Sequence, residues 1–223
     1  MNAPDLIGQE LGNWRIEKQL GEGGMSVVYQ GQHIWLPQKG AIKVLHPEVY
    51  REAKQRKRFQ REAKTASQIS HENVIKIKDF GYSEKHGDFM VLELLEGHDL
   101  EEIMTQAPFP KSWILPLVRQ ICAGLHAIHQ AGIIHRDLKP SNIFLLPRSP
   151  YPLVKILDFG IAKSQDLDGL DEKLTRTNAI VGTPSYLAPE QAQPGTPLTL
   201  QADIYALGVI FYQMFTGHLP LKG

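Results

Sequence analysis

Hydrophobic and polar positions alternate along the first part of this 223-residue chain. Between residues 14 and 46, the segments WRIEKQLG, VVYQGQHIW and GAIKVLH are short, rich in β-branched or aromatic residues, and separated by glycine or proline. Such segments are typical of strands. Two further strands are predicted in VIKIKDFGY and DFMVLELL, between residues 74 and 95.

Apolar residues recur at helical spacing in three other places. Residues 50–70 contain no glycine or proline, and segments 111–132 and 199–217 each carry an apolar stripe that ends at a glycine. The pattern predicts an α+β chain with a boundary near residue 95. A small sheet with one helix is expected in residues 1–95, and a mainly helical part in residues 96–223.

Composition narrows the classes of partner. Twenty-four basic residues balance twenty-four acidic ones, so the chain has no net field that would attract nucleic acid or an anionic membrane. The longest apolar stretch, ALGVIFYQMF, is too short to cross a bilayer, and the N-terminus lacks the features of a signal peptide. Cys122 is the single cysteine and is expected at a packing position. We therefore expect a cytoplasmic protein with no nucleic-acid partner and no membrane segment in this chain.

A glycine-rich stretch, LGEGGMSVVYQG, separates the first two predicted strands. Gly21, Gly23 and Gly24 allow a tight hairpin whose backbone amides can approach a phosphate closely. An ordinary glycine-rich hairpin is the alternative interpretation. A dinucleotide-binding fingerprint is disfavoured, because that motif opens a helix and this one runs into a strand.

Lys43 is predicted to share one face of the strand AIKVL with two apolar residues. It is either an edge-strand residue that opposes aggregation or a buried cation with a partner. Glu62 lies in the apolar stripe of the helix at 50–70, where an unpaired carboxylate would be costly. An ion pair between the two accounts for both. The basic run at 51–64 is interpreted as a solvated helix face, with a nucleic-acid patch as the alternative.

Charged and polar residues crowd the segment HRDLKPSN at 135–142, directly after a predicted buried helix. Asp137, Lys139 and Asn142 belong to it, and Asp158 follows in VKILDFG after a short hairpin. Asn and Asp supply hard oxygen ligands, and two of them converging from separate loops suit magnesium bound together with phosphates. His126 and His129, in HAIH, lack a third ligand and are interpreted as surface residues.

These motifs together resemble the protein-kinase family. LGEGGMSVVY, AIKVL, Glu62 in its helix, HRDLKPSN, DFG, GTPSYLAPE and DIYALGVIFYQMFTG occur in that family's order. The residues within these motifs are most similar to those of bacterial serine/threonine kinases of eukaryotic type. The resemblance implies a bilobal kinase fold, with an N-lobe antiparallel sheet and one helix in residues 1–95 and a mainly helical C-lobe in residues 96–223.

Because the catalytic domains of family members continue beyond the motif that ends at residue 217, the C-lobe is expected to be truncated after the helix at 199–216. The chain is expected to be either a fragment of a longer protein or a naturally short variant that exposes apolar surface and leaves Glu190 without its usual arginine. Reduced stability or dependence on a partner is the expected result.

The resemblance also implies a site for ATP. Lys43, positioned by Glu62, would hold the α- and β-phosphates, Asp137 would accept the proton of the substrate hydroxyl, and Lys139 would stabilise the transferring phosphoryl group. Asn142 and Asp158 would hold Mg²⁺, with Mn²⁺ as an alternative metal. Leu92 would be the gatekeeper. The remaining nucleotide contacts would be Leu20, Gly21, Glu22, Gly23, Gly24, Val28, Ala41, the hinge backbone from Glu93 to Leu95, Asp99 and Phe144.

Lys139 and Thr183, in their motifs, imply serine and threonine side chains of proteins as the acceptors. Arg136, which precedes Asp137, implies control by phosphorylation of Thr175 or Thr177, with Thr177 first. An unmodified polar loop is the alternative. A homodimer would serve autophosphorylation. Two other functions stay open: a pseudokinase or interaction module, including an inactive fragment, and a small-molecule kinase of related fold.

Overall fold

The computed structural model describes residues 6–23, 26–46, 60, 63–106, 109–158, 184–193 and 196–221. It separates into two compact units. The first comprises Met1–Ser70 and Ile75–Leu95, and the second comprises His71–Val74 and Glu96–Gly223.

The first unit is built on a six-stranded antiparallel sheet. Its spatial order is β1-β2-β3-β4-β6-β5. The strands are β1 (Glu10–Leu11), β2 (Trp14–Glu22), β3 (Ser26–His33), β4 (Lys39–Leu45), β5 (Ile77–Ser83) and β6 (Gly87–Glu93). All five strands predicted from the alternating pattern are present, and only the short β1 was not predicted.

One face of this sheet forms the core of the first unit. Tyr29, Ile42 and Val91 come from three adjacent strands and are almost completely buried. They alternate with half-buried residues, as the period of two in a strand requires. The predicted helix at 50–70 falls mostly outside the described residues. Within its described part, residues 60 and 63–66 are helical and a turn follows at 67–68, so the helix ends earlier than predicted.

Among its described residues, the second unit combines three α-helices with a three-stranded sheet of order β7-β8-β9. The strands are β7 (His98–Asp99), β8 (Ile143–Leu146) and β9 (Leu153–Ile156). The helices are α1 (Leu100–Gln106), α2 (Lys111–Gln130) and α3 (Gln201–Thr216). The two long helices were predicted, whereas α1, at seven residues, was too short for a periodic signal.

The apolar stripe of α2 packs against β9 and holds the second unit together. Leu117, Ile121 and Ile128 are completely buried, and so is Ile156 of β9. The helix continues through Pro116. Burying each such side chain contributes about 1.5–3 kcal/mol, so this stripe is a large part of the stability of the unit.

Residues 71–74 belong to the second unit, although the sequence placed Val74 at the start of a strand of the first sheet. Buried Asn73 explains the difference. Its side-chain amide donates to Gln120 Oε1 at 3.1 Å and to the Val154 carbonyl at 3.0 Å. Its own carbonyl accepts from the Ile156 amide at 2.8 Å. These bonds fix the segment to β9 and α2, and β5 begins only at Ile77.

Two side chains on α2 differ from the sequence predictions. Cys122 is exposed and does not fill a packing position. Partial burial raises the pKa of its thiol, which disfavours the nucleophilic thiolate. His126 lies at the surface as predicted, but His129 does not, because its Nε2 contacts buried Asp203 at 2.8 Å. Helical spacing alone did not reveal which of the two faces the interior.

No helix in the described ranges combines the length and apolar composition that a membrane span needs.

Two helical glycines give a matched stability test. A Cβ on Gly124 of α2 would lie 2.7 Å from the Asn73 carbonyl oxygen, whereas a Cβ on Gly208 of α3 would meet nothing within 4 Å. We expect Gly124→Ala to destabilise the protein by about 1–3 kcal/mol, because α2 must move away from the segment at 71–74.

Gly208→Ala is the control and should be neutral or stabilising by up to about 1 kcal/mol, the helix-propensity difference. Urea unfolding of both variants measures the contrast. Equal effects would contradict the close packing described for Gly124.

Candidate active site

Buried Asp203, near the start of α3, holds the segment His135–Asn142 in place. Its Oδ2 accepts the His135 amide at 2.7 Å and its Oδ1 accepts the Arg136 amide at 2.8 Å. The Nε2 of His129 lies 2.8 Å from the same Oδ2 and must donate there, because a carboxylate oxygen only accepts. A carboxylate that is 1% exposed is thus fully paired through two backbone amides and one side chain.

Arg136 has a left-handed backbone with φ of 64°, which is unusual for a residue other than glycine. Such a conformation costs about 1–3 kcal/mol and persists only where the surroundings enforce it. Asp203 binds the Arg136 amide, and the side chain of Gln191 donates to the Arg136 carbonyl at 3.1 Å. Contacts at both ends of the residue therefore stabilise the turn that presents Asp137.

Three polar side chains meet directly after this turn. The Nδ2 of Asn142 donates to the Asp137 carbonyl at 2.7 Å and lies 3.5 Å from its carboxylate Oδ2. The ammonium of Lys139 lies 3.6 Å from the same Oδ2. All three are buried or half-buried, so the carboxylate, the cation and the amide interact with limited screening by water.

The hairpin β8–β9 brings Asn142 and Asp158 to the same end of the second sheet. Ile143 pairs with Ile156, and the Leu157 amide donates to the Asn142 carbonyl at 2.8 Å. Asp158 follows at once with a left-handed φ of 51°. The sequence predicted this juxtaposition from the short spacing between the two motifs.

The oxygen donors at this end suit a hard cation. Because the Asn142 amide nitrogen is bound to Asp137, its amide oxygen is the atom available as a ligand, and Asp158 lies at the same end of the sheet. Within the described ranges, no three His, Cys, Asp or Glu side chains cluster closely enough to hold a metal by themselves. A magnesium ion here would therefore take further ligands from phosphate or water, which is its usual preference.

Asp99 and Phe144 are also neighbours within the second unit. They are register partners between β7 and β8. The Oδ1 of Asp99 accepts the Glu102 amide at 2.8 Å, so this side chain caps the first turn of α1. The sequence pointed to both residues for nucleotide binding and did not predict the cap.

The glycine-rich stretch forms a hairpin between two strands, as predicted. Gly21 pairs with Val28, and the Gly23 amide donates to the Ser26 carbonyl at 2.8 Å. A Cβ on Gly21 would meet nothing within 4 Å, and one on Gly23 would lie 3.8 Å from its nearest neighbour. Packing among the described residues therefore does not require these glycines, whereas close approach of a ligand to the backbone would.

Half-buried residues of the first sheet gather on the face opposite its core. Lys43 pairs with Val28 on β3 and with Met90 on β6, and Ala41 pairs with Leu92. Val28, Ala41, Lys43 and Leu92 are all half-buried. An apolar face with one cation among its residues suits a flat apolar ring attached to phosphates.

At the end of β6, Glu93 is fixed by two contacts with Lys76. The Lys76 amide donates to Glu93 Oε1 at 2.9 Å, and the Glu93 amide donates to the Lys76 carbonyl at 2.9 Å. Leu95 ends the first unit two residues later. Leu20 and Glu22 on β2 are exposed.

Comparison with known proteins decides the family. The profile of the protein kinase domain family matches residues 14–223. The chain belongs to the protein kinase family. Its antiparallel N-lobe sheet and mainly helical C-lobe are those of the kinase fold, which confirms the predicted fold class.

Several similar curated proteins come from bacteria. All of this chain matches the serine/threonine-protein kinase pkn2 of Myxococcus xanthus at 41% identity, covering 26% of that protein. All of it also matches pkn3 of the same organism at 40% identity, covering 42% of that protein. PrkC of Bacillus subtilis matches 98% of the chain at 36% identity, over 33% of its own length. The chain therefore spans about a quarter to two fifths of the length of these relatives.

Solved structures agree with this assignment. The crystal structure of the Mycobacterium tuberculosis PknI kinase domain superposes with a TM-score of 0.74 at 28% identity. The superposition covers 96% of this chain and 79% of the PknI chain.

Several predicted site residues of the kinase domain lie outside the described residues. They are Gly24, Glu62, Thr175, Thr177 and Thr183. The predicted ion pair of Glu62 with Lys43 and the phosphorylated threonines therefore stay predictions.

Two guanidinium nitrogens of half-buried Arg136 are shielded from solvent. Its Nε and Nη1 have no hydrogen-bond partner among the described residues. Burying these two donors without a partner is costly, because they lose their hydration and gain nothing in exchange. The position favours binding of an anion.

His135 is completely buried in the kinase domain and cannot reach a substrate. Its Nε2 donates to the Leu157 carbonyl at 2.8 Å, which links the segment His135–Asn142 to the residue before Asp158. Burial lowers the pKa of the imidazole, against the opposing effect of Asp203 and the Leu157 carbonyl. The neutral ring is therefore structural.

Sequence reasoning missed Asp203 and Gln191. A signal for Asp203 was available, because a carboxylate in the apolar stripe of DIYALGVIF raises the same question that Glu62 raised. Gln191 gave no such signal, since a glutamine after a proline is common on protein surfaces.

Replacing Asp203 tests its anchoring role. Asp203→Asn keeps the shape but presents an NH₂ group to one of the two backbone amides, so a buried donor loses its acceptor. We expect the free energy of unfolding to fall by about 2–4 kcal/mol, as measured by urea unfolding. Ile204→Ala, at an exposed neighbouring position, is the control and should stay within about 0.5 kcal/mol. A cost for Asp203→Asn as small as the control would refute the anchoring role.

A pH dependence follows from His135. Because its folded pKa is lowered, the unfolded chain takes up the proton first as the pH falls, and stability is lost below the unfolded pKa of about 6.5. Urea unfolding at pH 7.5 and 5.5 should show a loss on acidification that shrinks in His135→Phe by on the order of 1 kcal/mol. An unchanged loss in that variant would mean that the ring is protonated in the folded state.

Proposed function

We propose that this chain transfers the γ-phosphoryl group of ATP to serine and threonine hydroxyls of proteins. The cluster of Asp137, Lys139 and Asn142 is the observation that carries the proposal. It is held by Asp203 in a chain of the protein kinase family and meets the needs of phosphoryl transfer, which are mainly positioning and charge neutralisation. Relatives at 40–41% identity are named serine/threonine-protein kinases.

Each member of the cluster has a part in the proposed reaction. The carboxylate of Asp137 orients the acceptor hydroxyl and takes its proton. The ammonium of Lys139, 3.6 Å from that carboxylate, is close enough to stabilise negative charge on the phosphoryl group as it moves to the same hydroxyl. Asn142 keeps Asp137 in position through the bond to its carbonyl and supplies an amide oxygen.

A divalent cation would bind at Asn142 and Asp158. Mg²⁺ fits this donor set best because both ligands are hard oxygens, and Mn²⁺ is the alternative. When bound, the ion neutralises charge on the ATP phosphates. The left-handed backbone of Asp158 and the hairpin register keep the two ligands at one end of β8 and β9.

The first unit would bind the nucleotide. The backbone around Gly21 and Gly23 offers amides to the phosphates, with Leu20, Glu22 and Gly24 beside them, and Lys43 offers its ammonium. Val28 and Ala41 provide an apolar surface for the adenine ring, with Leu92 at its edge. We also assign hydrogen bonds to the adenine base to the backbone from Glu93 to Leu95. Phe144 is assigned to the second face of the adenine ring, and Asp99 to the ribose.

Regulation by phosphorylation is supported by Arg136. Its buried guanidinium nitrogens favour an anion, and a phosphothreonine would provide two negative charges and three acceptor oxygens. Thr177 is our first choice and Thr175 the second. Autophosphorylation would require two copies of the chain to meet.

We place the reaction in the cytoplasm, where ATP is available and a lone cysteine stays reduced.

Transfer of labelled phosphate tests the enzymatic function. The purified chain is incubated with labelled ATP, magnesium and a generic basic protein substrate. Asp158→Asn removes a proposed metal ligand and should lower incorporation at least about a hundredfold. Glu84→Gln, which removes a carboxylate from an exposed turn, should leave it unchanged.

If the wild type incorporates no more label than Asp158→Asn while both bind ATP, the chain is a pseudokinase or interaction module. If label appears on a small molecule and on no protein, the proposed acceptor class is wrong.

Mass spectrometry of the chain after incubation with Mg²⁺ and ATP tests the regulatory site. We expect phosphate on Thr177, and we expect Thr177→Ala to lower activity towards added substrate by about tenfold or more, because the Arg136 guanidinium loses its anion. Thr175→Ala should have the smaller effect. Full activity of the double variant would contradict control by these threonines.

A further inference from the structure

The side-chain amide of Gln191 bridges two segments of the second unit. It lies half-buried in the short 3₁₀ turn Pro189–Ala192. Its Oε1 accepts the Ala188 amide at 3.0 Å, and its Nε2 donates to the Arg136 carbonyl at 3.1 Å. Both polar ends of one side chain are thus used, one on its own segment and one on the segment that carries Asp137.

The Arg136 carbonyl is a sensitive place for such a bond. It belongs to the same peptide plane as the Asp137 amide, so its orientation sets the direction in which the Asp137 side chain leaves the backbone. The strained turn at Arg136 is held from its amide side by Asp203 and from its carbonyl side by Gln191. Removing the second contact leaves half of that restraint.

The segment on the other side of the bridge is itself anchored. Tyr186 is buried, and its hydroxyl group donates a hydrogen bond to Gln213 Oε1 of α3 at 2.6 Å. A cavity of about 20 Å³ remains between this segment and the Asp137 turn, which is room for about one water molecule. The stretch Tyr186–Ala188 therefore has a fixed position, and Gln191 is the polar side chain that ties it to the catalytic residue's backbone.

We propose that Gln191 is a positioning residue that sets the distance between the Tyr186–Ala188 stretch and Asp137, and so aligns a polypeptide hydroxyl with its base. This inference rests on the proposed function, in which that stretch supports a protein substrate. Transfer to water needs Asp137 but no aligned polypeptide. Loss of the bridge therefore impairs transfer to protein more than hydrolysis of ATP.

Two substitutions separate this role from that of a simple turn former. Gln191→Met removes both hydrogen bonds with little change in volume. Gln191→Glu keeps an oxygen for the Ala188 amide but replaces the donor with an oxygen that repels the Arg136 carbonyl. If the bridge matters, both variants are impaired; if only the turn matters, Gln191→Glu behaves like the wild type.

Kinetic assays of the whole chain measure kcat with a protein substrate, KM for ATP, and ATP hydrolysis without protein. Both variants should lose about fivefold or more in kcat with protein, the equivalent of one neutral hydrogen bond, while KM for ATP and hydrolysis change less than about twofold. Gln193→Met, two residues along at an exposed position, is the matched control and should retain full activity. Parallel loss of both reactions, no loss at all, or full activity of Gln191→Glu would each overturn the proposal.

Amide hydrogen exchange provides a readout that does not depend on activity. Both Gln191 variants should speed exchange of the His135 and Arg136 amides, whereas only Gln191→Met should speed exchange at Ala188. Unchanged exchange at His135 and Arg136 overturns the bridge even in an inactive protein. An inactive wild type with the expected exchange pattern means instead that the proposed function is wrong and the bridge is right.

Discussion

A buried carboxylate that accepts two backbone amides is the interaction on which the rest of the site depends. Asp203 binds the amides of His135 and Arg136 and is itself oriented by His129. Charge-assisted hydrogen bonds in a dry interior are stronger than neutral ones, and removing one partner leaves the others unsatisfied. Helix α3, which carries Asp203, therefore fixes the turn that presents Asp137. The turn does not depend on the intrinsic backbone preferences of its own residues.

The restraint matters because two residues of the site have backbone conformations that they would not adopt alone. Arg136 and Asp158 both have positive φ. Asp203 and Gln191 stabilise the first, and the β8–β9 hairpin leads directly into the second. Together these contacts keep Asp137, Lys139, Asn142 and Asp158 in place. In the proposed reaction, this lowers the reorganisation that phosphoryl transfer requires.

Much of this arrangement was visible in the sequence. The strands of the first sheet followed from alternation, the two long helices from the apolar stripes, and the convergence of Asn142 and Asp158 from the short hairpin between their motifs. These features are local, so a local pattern specifies them.

What the sequence did not predict depends on contacts between distant positions. Asn73 removes residues 71–74 from the first unit through bonds to Gln120 and Val154, far along the chain. Cys122 was expected in the interior and is exposed, whereas His129 was expected at the surface and contacts buried Asp203. Helical spacing identifies the apolar face of α2 but not which residues lie at its edges. Asp203 and Gln191 act on a segment more than fifty residues earlier. No periodicity encodes such pairs, although a carboxylate in an apolar stripe was a visible clue to the first.

The central claim is that Asp203 holds the turn that presents Asp137 in the position that the proposed transfer requires, without contributing to nucleotide binding. Single-turnover phosphoryl transfer by Asp203→Asn, measured beside its affinity for Mg²⁺ and ATP, tests this most directly. We predict that affinity stays within about threefold of the wild type while the transfer rate falls about a hundredfold, the order of loss that a misplacement of about 1 Å produces. A folded Asp203→Asn variant that transfers phosphate at the wild-type rate would contradict the account.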